Sequence, residues 1–180
     1  MKTRLLAGVV LASIPTLALA QSTSPYAGQQ TRDIKTLSSD EVKSYLTGEG
    51  LGMAKAGELN HYPGPKHVLD MADRLGLTAD QKQRIASISA AMTAAAVQLG
   101  REIVAGERTL NVSFAAGTID DAALAAQTGR IGNLQGRLRD VHLSAHLATR
   151  RVLTASQVAR YDAMRGYSSS GGMNMQDHHM

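Results

Sequence analysis

Leu77-Thr78-Ala79-Asp80-Gln81 and Leu153-Thr154-Ala155-Ser156-Gln157 are two copies of one phrase, L-T-x-x-Q, and each precedes a helix-like stretch. In each copy Thr is placed to be an N-cap and Gln stands at N3, the reciprocal capping box. The Thr oxygen accepts from the N3 amide, and the Gln side chain reaches back to the Thr amide. The second copy adds Leu153 at N′ and Val158 at N4, a hydrophobic staple; the first has Lys82 at N4 and lacks it. Two well-started helices are therefore expected, and the fold follows from what surrounds them.

After the first copy, Ile85, Ile88, Met92, Ala95, Leu99 and Ile103 recur at the spacing of one helical face. A break is expected from Gly106 to Gly117, with Asn111, Phe114 and Gly117 in a loop. Asp120 then opens a second long helix, whose seam runs through Leu124, Ile131, Leu134, Leu138, Val141, Ala145, Ala148 and Val152. A closing helix is expected from Ala155 to Arg165. Upstream, Ser39 begins a further capping pattern, without the Glu at N3 but with Asp40 and Glu41 in the first turn, and a short helix follows from there. It should stop near Gly48-Glu49-Gly50, with a further turn or two from Ala54 to Leu59. His61-Tyr62-Pro63-Gly64-Pro65 is a firm break. Lys66 to Leu75 reads as a short helix with Gly76 at C′. The expected fold class is all-α: a long antiparallel helical hairpin with flanking short helices. Leu143 and Leu147 lie off the seam of the second helix, where a short helix or a second subunit is expected to cover them. A hairpin with apolar surface on two sides is expected to form a homodimer.

The ends of the chain read differently. Lys2 and Arg4 form a basic n-region, Leu5 to Leu19 is an apolar run, and Ala18-Leu19-Ala20 supplies a cleavage pattern before Gln21. Residues 1–20 are therefore expected to be a cleaved signal peptide, which places the mature chain in the periplasm. The run is too short for a comfortable membrane span, and no Cys follows it to take a lipid. Residues 21–38 are polar and expected to be disordered. Residues 39–65 hold the short helices and linker, 66–166 the hairpin domain, and 167–180 a flexible tail rich in Met and His.

The chain has 180 residues and no Cys, so disulfides and thiolate metal sites are excluded. Its formal charge of +4 includes Lys2 and Arg4 of the signal peptide. The remaining basic residues are scattered without aromatic interleaving, which argues against nucleic acid as a partner.

The two L-T-x-x-Q motifs on an exported helical hairpin resemble the Spy/CpxP family of periplasmic stress proteins. They also resemble its heavy-metal relatives, the zinc- and cobalt/nickel-responsive periplasmic sensors of the same fold. The resemblance covers roughly His67 to Arg165. It implies a dimeric, cradle-like molecule that binds either unfolded polypeptide or a transition metal, with a membrane sensor protein as a further possible partner. It makes Leu77, Thr78, Gln81, Leu153, Thr154 and Gln157 structural signature residues.

Candidate metal ligands come from the six His, all beyond the signal peptide. His142 and His146 are four apart on the second long helix and share a face, so both could reach one ion. On a helical wheel His142 borders the seam and His146 lies further round, towards solvent or a partner helix. Metal-sensing relatives place ligands on this helix, and His61 and His67 resemble a region where they carry more, without the H-x-x-x-H spacing. Glu102 on the facing helix is a candidate oxygen ligand. The tail adds Met175, His178 and His179, soft and imidazole ligands suited to Cu, Ni, Zn or Co.

Enzyme chemistry is excluded by pattern. His142-Leu143-Ser144-Ala145-His146 has zincin spacing, but Leu143 stands where the general-base Glu is needed. No nucleophile elbow, P-loop or dinucleotide fingerprint is present. Two readings follow. The first is a periplasmic, ATP-independent chaperone for unfolded polypeptides, with Arg84, Arg101, Arg137, Arg139, Arg150 and Arg151 as basic contacts and Leu143 and Leu147 as apolar ones. The second is a heavy-metal sensor or resistance protein that binds through helix and tail residues. The scarcity of aromatics and the abundance of Ala and Met favour an adaptable binding surface, and so the chaperone.

Overall fold

The computed structural model describes residues 23–167, so the expected signal peptide and the candidate tail ligands Met175, His178 and His179 lie outside the described residues. The described residues divide into two units, one ending at Gln30 and one beginning at Thr31. In the first, residues 25–28 form turns, with the Ala27 amide on the Ser24 carbonyl and the Gln29 amide on the Tyr26 carbonyl.

The second unit is all helical among the described residues. Its helices are α1 (Ser39–Thr47), α2 (Lys55–Glu58), α3 (Pro65–Asp70), α4 (Ala72–Leu75), α5 (Ala79–Ala115), α6 (Asp121–Val152) and α7 (Ala155–Arg165). The long pair α5 and α6 forms the expected hairpin, and both L-T-x-x-Q copies make complete capping boxes, at the starts of α5 and α7.

The two copies are also bonded to each other. Each Gln carbonyl accepts from its own Thr amide, Thr78 to Gln81 at 3.0 Å and Thr154 to Gln157 at 2.9 Å. Gln81 Nε2 then donates to Gln157 Oε1 at 2.9 Å, and Gln157 Nε2 donates back to Gln81 Oε1 at 3.0 Å. The second hydrogen of each amide goes to the carbonyl just before the other motif, Val152 from Gln81 and Gly76 from Gln157. Every donor and acceptor of both amides is thereby used. Beneath this clasp, Leu77, Leu153, Val158, Ile85 and Tyr161 pack with Val68 and Leu75 in one buried cluster. The repeated motif is one interlocked unit closing the base of the hairpin.

A second cluster fills the middle of the hairpin: Ala96, Leu99, Ile103 and Val104 of α5, Leu134 and Leu138 of α6, Tyr45 of α1, and Ile34. Here α1 lies so close to α5 that a Cβ at Gly100 would stand 2.0 Å from the Tyr45 carbonyl oxygen.

Three sequence expectations need correction. The cap of α1 is Ser38 instead of Ser39, with Glu41 at N3 completing a capping box; the helix itself begins at Ser39. The Ser38 amide also holds the Glu41 carboxyl below its ordinary range. The break expected from Gly106 is absent: α5 continues to Ala115. Gly106 is where Ile131 packs in, 3.0 Å from the position of an added Cβ, so this glycine serves close approach. The hydroxyls of Thr109 and Ser113 bond back to carbonyls four residues earlier, within the helix. Finally, the end of the segment expected to be disordered is held against this part of α5. Ile34 is buried, Asp33 pairs with Arg108 at 2.7 Å, and Asn111 Nδ2 donates to the Asp33 carbonyl.

Candidate functional site

The hairpin has two broad faces, and helical geometry assigns the residues to each. Seen down α5, Thr93, Ala96, Val97 and Gly100 meet α1, whereas Ile88, Ala91, Ala95 and Glu102 lie about half a turn away. On α6, His142 and His146 fall on the covered side, and Arg137, Val141 and Ala148 on the other.

On the covered side, residues 48–64 cross α6 as a strap. Gly64 allows its close approach, since an added Cβ there would lie only 3.0 Å from the His146 ring, while one at Gly57 would make ordinary contact with Leu143 and His146 at 3.5 and 3.6 Å. Leu143 is thus covered by α2, as anticipated for one of the two off-seam leucines. Leu147 stays 44% exposed.

Both histidines are buried, at 3% and 9% exposure. For His146, expected further round towards solvent or a partner helix, the second placement holds, because the strap and its α2 lie over it. Its Nδ1 bonds the Tyr62 carbonyl oxygen at 2.7 Å, donating its proton there, and lies 3.7 Å from Glu58. Glu58 is the hub that pins the strap. It accepts from the Gly64 amide at 3.1 Å and the Tyr161 hydroxyl at 2.5 Å, with Arg165 at 3.5 Å. The buried Tyr161 phenol, donating to this carboxylate, is pushed far above its ordinary pKa by burial and by Glu58. His61, held in a left-handed backbone conformation, meets Asp162 at 2.8 Å and pins the strap to α7.

His142 is different. Its Nε2 is buried and has no hydrogen-bond partner, and burial, followed by the neighbouring His146, keeps its imidazole pKa below the ordinary value. With His146, His67, Met92, Glu49 and Glu58 it lines a cavity of about 630 Å³ under the strap. The structure thus brings His142, His146 and His67 to one cavity. It places His61 on Asp162 and puts Glu102 on the opposite face of the hairpin, where it cannot join them. Among the described residues, no three His, Asp or Glu side chains are gathered to hold a metal ion.

The open side is a groove between α5 and α6. Near the motif clasp it is lined by Asp80, Gln83, Arg84, Ser87 and Ile88 of α5 and Ala148, Arg151 and Val152 of α6. Further along it is lined by Ala91, Ala94, Ala95, Gln98, Leu99 and Glu102 of α5 and Arg137, Asp140 and Val141 of α6. From Asp80 to Glu102 the helical rise makes it about 33 Å long. Half of its apolar lining residues are alanines and its rims are charged. Of the anticipated basic contacts, Arg84, Arg137 and Arg151 line it; Arg101, Arg139 and Arg150 do not. The abundance of Ala pointed to a binding surface in sequence, but nothing in the spacing marked the alanines at 91, 94, 95 and 148 as the ones that line it.

The LTXXQ motif family model matches residues 64–165, from the last residue of the strap through α7 and more than half of the chain. This chain belongs to the LTXXQ motif family. Comparison with curated proteins and with solved structures gives no match. In this LTXXQ protein the matched span contains both motifs, the clasp and the whole groove. It excludes most of the strap that covers His142 and His146. No helix among the described residues is long and apolar enough to cross a membrane.

Proposed function

We propose that this LTXXQ protein is a periplasmic, ATP-independent holdase that takes unfolded polypeptide into the α5–α6 groove. The observation that carries the reading is the groove itself, an open, alanine-floored channel on the uncovered side of a hairpin. Such a floor accepts many apolar side chains without demanding one shape, and charged rims keep the empty surface wet. The protein acts by binding and performs no catalysis. The test is light scattering from a chemically unfolded client diluted into buffer with the mature chain and no nucleotide. Suppression that is lost in Ala91→Glu, whose residue is exposed, supports the reading. Equal suppression by the variant overturns it.

One observation favours a second reading, a heavy-metal sensor or resistance protein. The unpartnered His142 Nε2 is buried beside a cavity that His146, His67 and Met92 also line, and His and Met together suit copper, with His also suiting nickel, zinc or cobalt. Calorimetric titration of the metal-free mature chain with Cu(II), Ni(II), Zn(II) and Co(II) decides this reading. Binding lost in His142→Ala/His146→Ala supports it; binding lost only on truncation after Tyr167 moves the site to the tail.

A further inference from the structure

Resting on the holdase reading, we propose that the groove takes its clients as amphipathic α-helices, and with one polarity: the client's C-terminal end at Arg84 and Arg151. The first argument is backbone hydrogen bonding. A bound segment loses water from its amides and carbonyls, and those groups need partners. The two walls are continuous α-helices whose backbone groups are already paired, and no strand edge exists among the described residues to receive an extended chain. An extended client pressed onto Ala91, Ala94, Ala95 and Ala148 would leave one side of its backbone without partners. A helical client satisfies its own.

Packing gives the second argument. Two antiparallel helices faced with alanine leave a slot into which a third helix can set large side chains at i, i+3, i+4 and i+7 spacing. Between the groove's larger side chains, the alanines at 91, 94, 95 and 148 leave gaps that large side chains of the client can fill. Charge order fixes the direction. Arg84 and Arg151 outnumber Asp80 at the clasp end, and Glu102 and Asp140 outnumber Arg137 at the far end. A helix carries partial negative charge at its C-terminus and positive charge at its N-terminus, which matches that order.

The experiment uses the mature chain and three labelled peptides of about 18 residues, a length near that of the groove at 1.5 Å per residue. One is an amphipathic Leu/Ala/Gln/Lys helix, one has the same composition scrambled so that no apolar face forms, and one is the first interrupted by two prolines. Fluorescence anisotropy measures affinity and circular dichroism measures helix gained on binding. The amphipathic peptide is expected to bind at least tenfold more tightly than the other two, to gain helicity, and to lose this binding in Ala91→Glu and in Ala94→Glu. Moving an Asp pair from its N-terminus to its C-terminus is expected to tighten binding several-fold, and Arg84→Glu/Arg151→Glu to reverse that preference. Equal affinity for all three peptides, still lost in the Ala→Glu variants, overturns the helix inference and leaves the holdase groove standing. Binding unaffected by either Ala→Glu change removes the groove itself. A self-association that both variants abolish, with no peptide binding, makes a second copy of this chain the occupant and overturns the proposal.

Discussion

Gly100 and His142 show how single positions constrain this protein. A methyl group at Gly100 would meet the Tyr45 carbonyl oxygen at 2.0 Å, and backbone on backbone leaves no flexible side chain to yield. Gly100→Ala is therefore expected to push α1 off α5 and to lower stability by about 1–3 kcal/mol, the usual cost of overfilling a packed site; urea unfolding measures it. A shift below ~0.5 kcal/mol, the range of an ordinary surface change, would show that α1 is not seated this way. His142 sets a pH dependence. Its folded-state pKa is depressed by burial and then by His146, whereas the unfolded chain takes up a proton near pH ~6.5. As pH falls through that value, the unfolded state gains a proton that the folded state refuses, so stability falls towards acid and is fully present above it. Thermal unfolding of metal-free protein across that range is expected to show this fall, and His142→Gln to reduce it. An undiminished slope in the variant would assign the effect to other groups.

At the scale of elements, the Gln81–Gln157 pair makes the two motifs one device. Each amide closes its own capping box and completes the other's, so removing one leaves its partner with unmet donors and acceptors. Gln81→Ala and Gln157→Ala are each expected to destabilise, by about 1–2 kcal/mol in the range measured for lost caps and buried hydrogen bonds. The double variant should cost less than the sum, with a coupling of about 0.5–3 kcal/mol. Strict additivity in denaturant titration would mean that the clasp contributes nothing beyond two separate caps. The capping boxes were legible in sequence because capping is local, a matter of residues three apart. The clasp was not, because it joins side chains 76 residues apart and nothing in either motif announces the other as its partner. The same division explains the misplaced break. Gly106 and the Thr and Asn residues after it carry loop propensity, yet Ile131 needs the space at Gly106, and Asn111 bonds back to Asp33 and Lys35. Tertiary contacts overrode the local preference. The candidate site divides along the same line. Spacing placed His142 and His146 on one face, but their burial depends on a strap whose glycines have meaning only against α6.

For the whole molecule, the hairpin keeps two kinds of chemistry on opposite sides of the same two helices. The strap, pinned through Glu58, Tyr161, Asp162 and His61, seals the histidines away, while the α5–α6 groove stays open on the uncovered side. The two readings of function therefore make separable demands. Holding a client needs the alanine floor and the rims and takes nothing from the imidazoles. Binding an ion needs the imidazoles and takes nothing from the floor. His142→Gln is accordingly expected to leave suppression of client aggregation unchanged, and Ala91→Glu to abolish it while leaving any metal titration as in the parent chain. Paired scattering and calorimetry on both variants check this crossing. If His142→Gln instead weakens client holding with the fold intact by circular dichroism, the faces are coupled through α6. The strap would carry such coupling, because the Tyr62 carbonyl on His146 and the Glu58 hub link the covered side to α7, whose first turn shares the clasp with the clasp end of the groove.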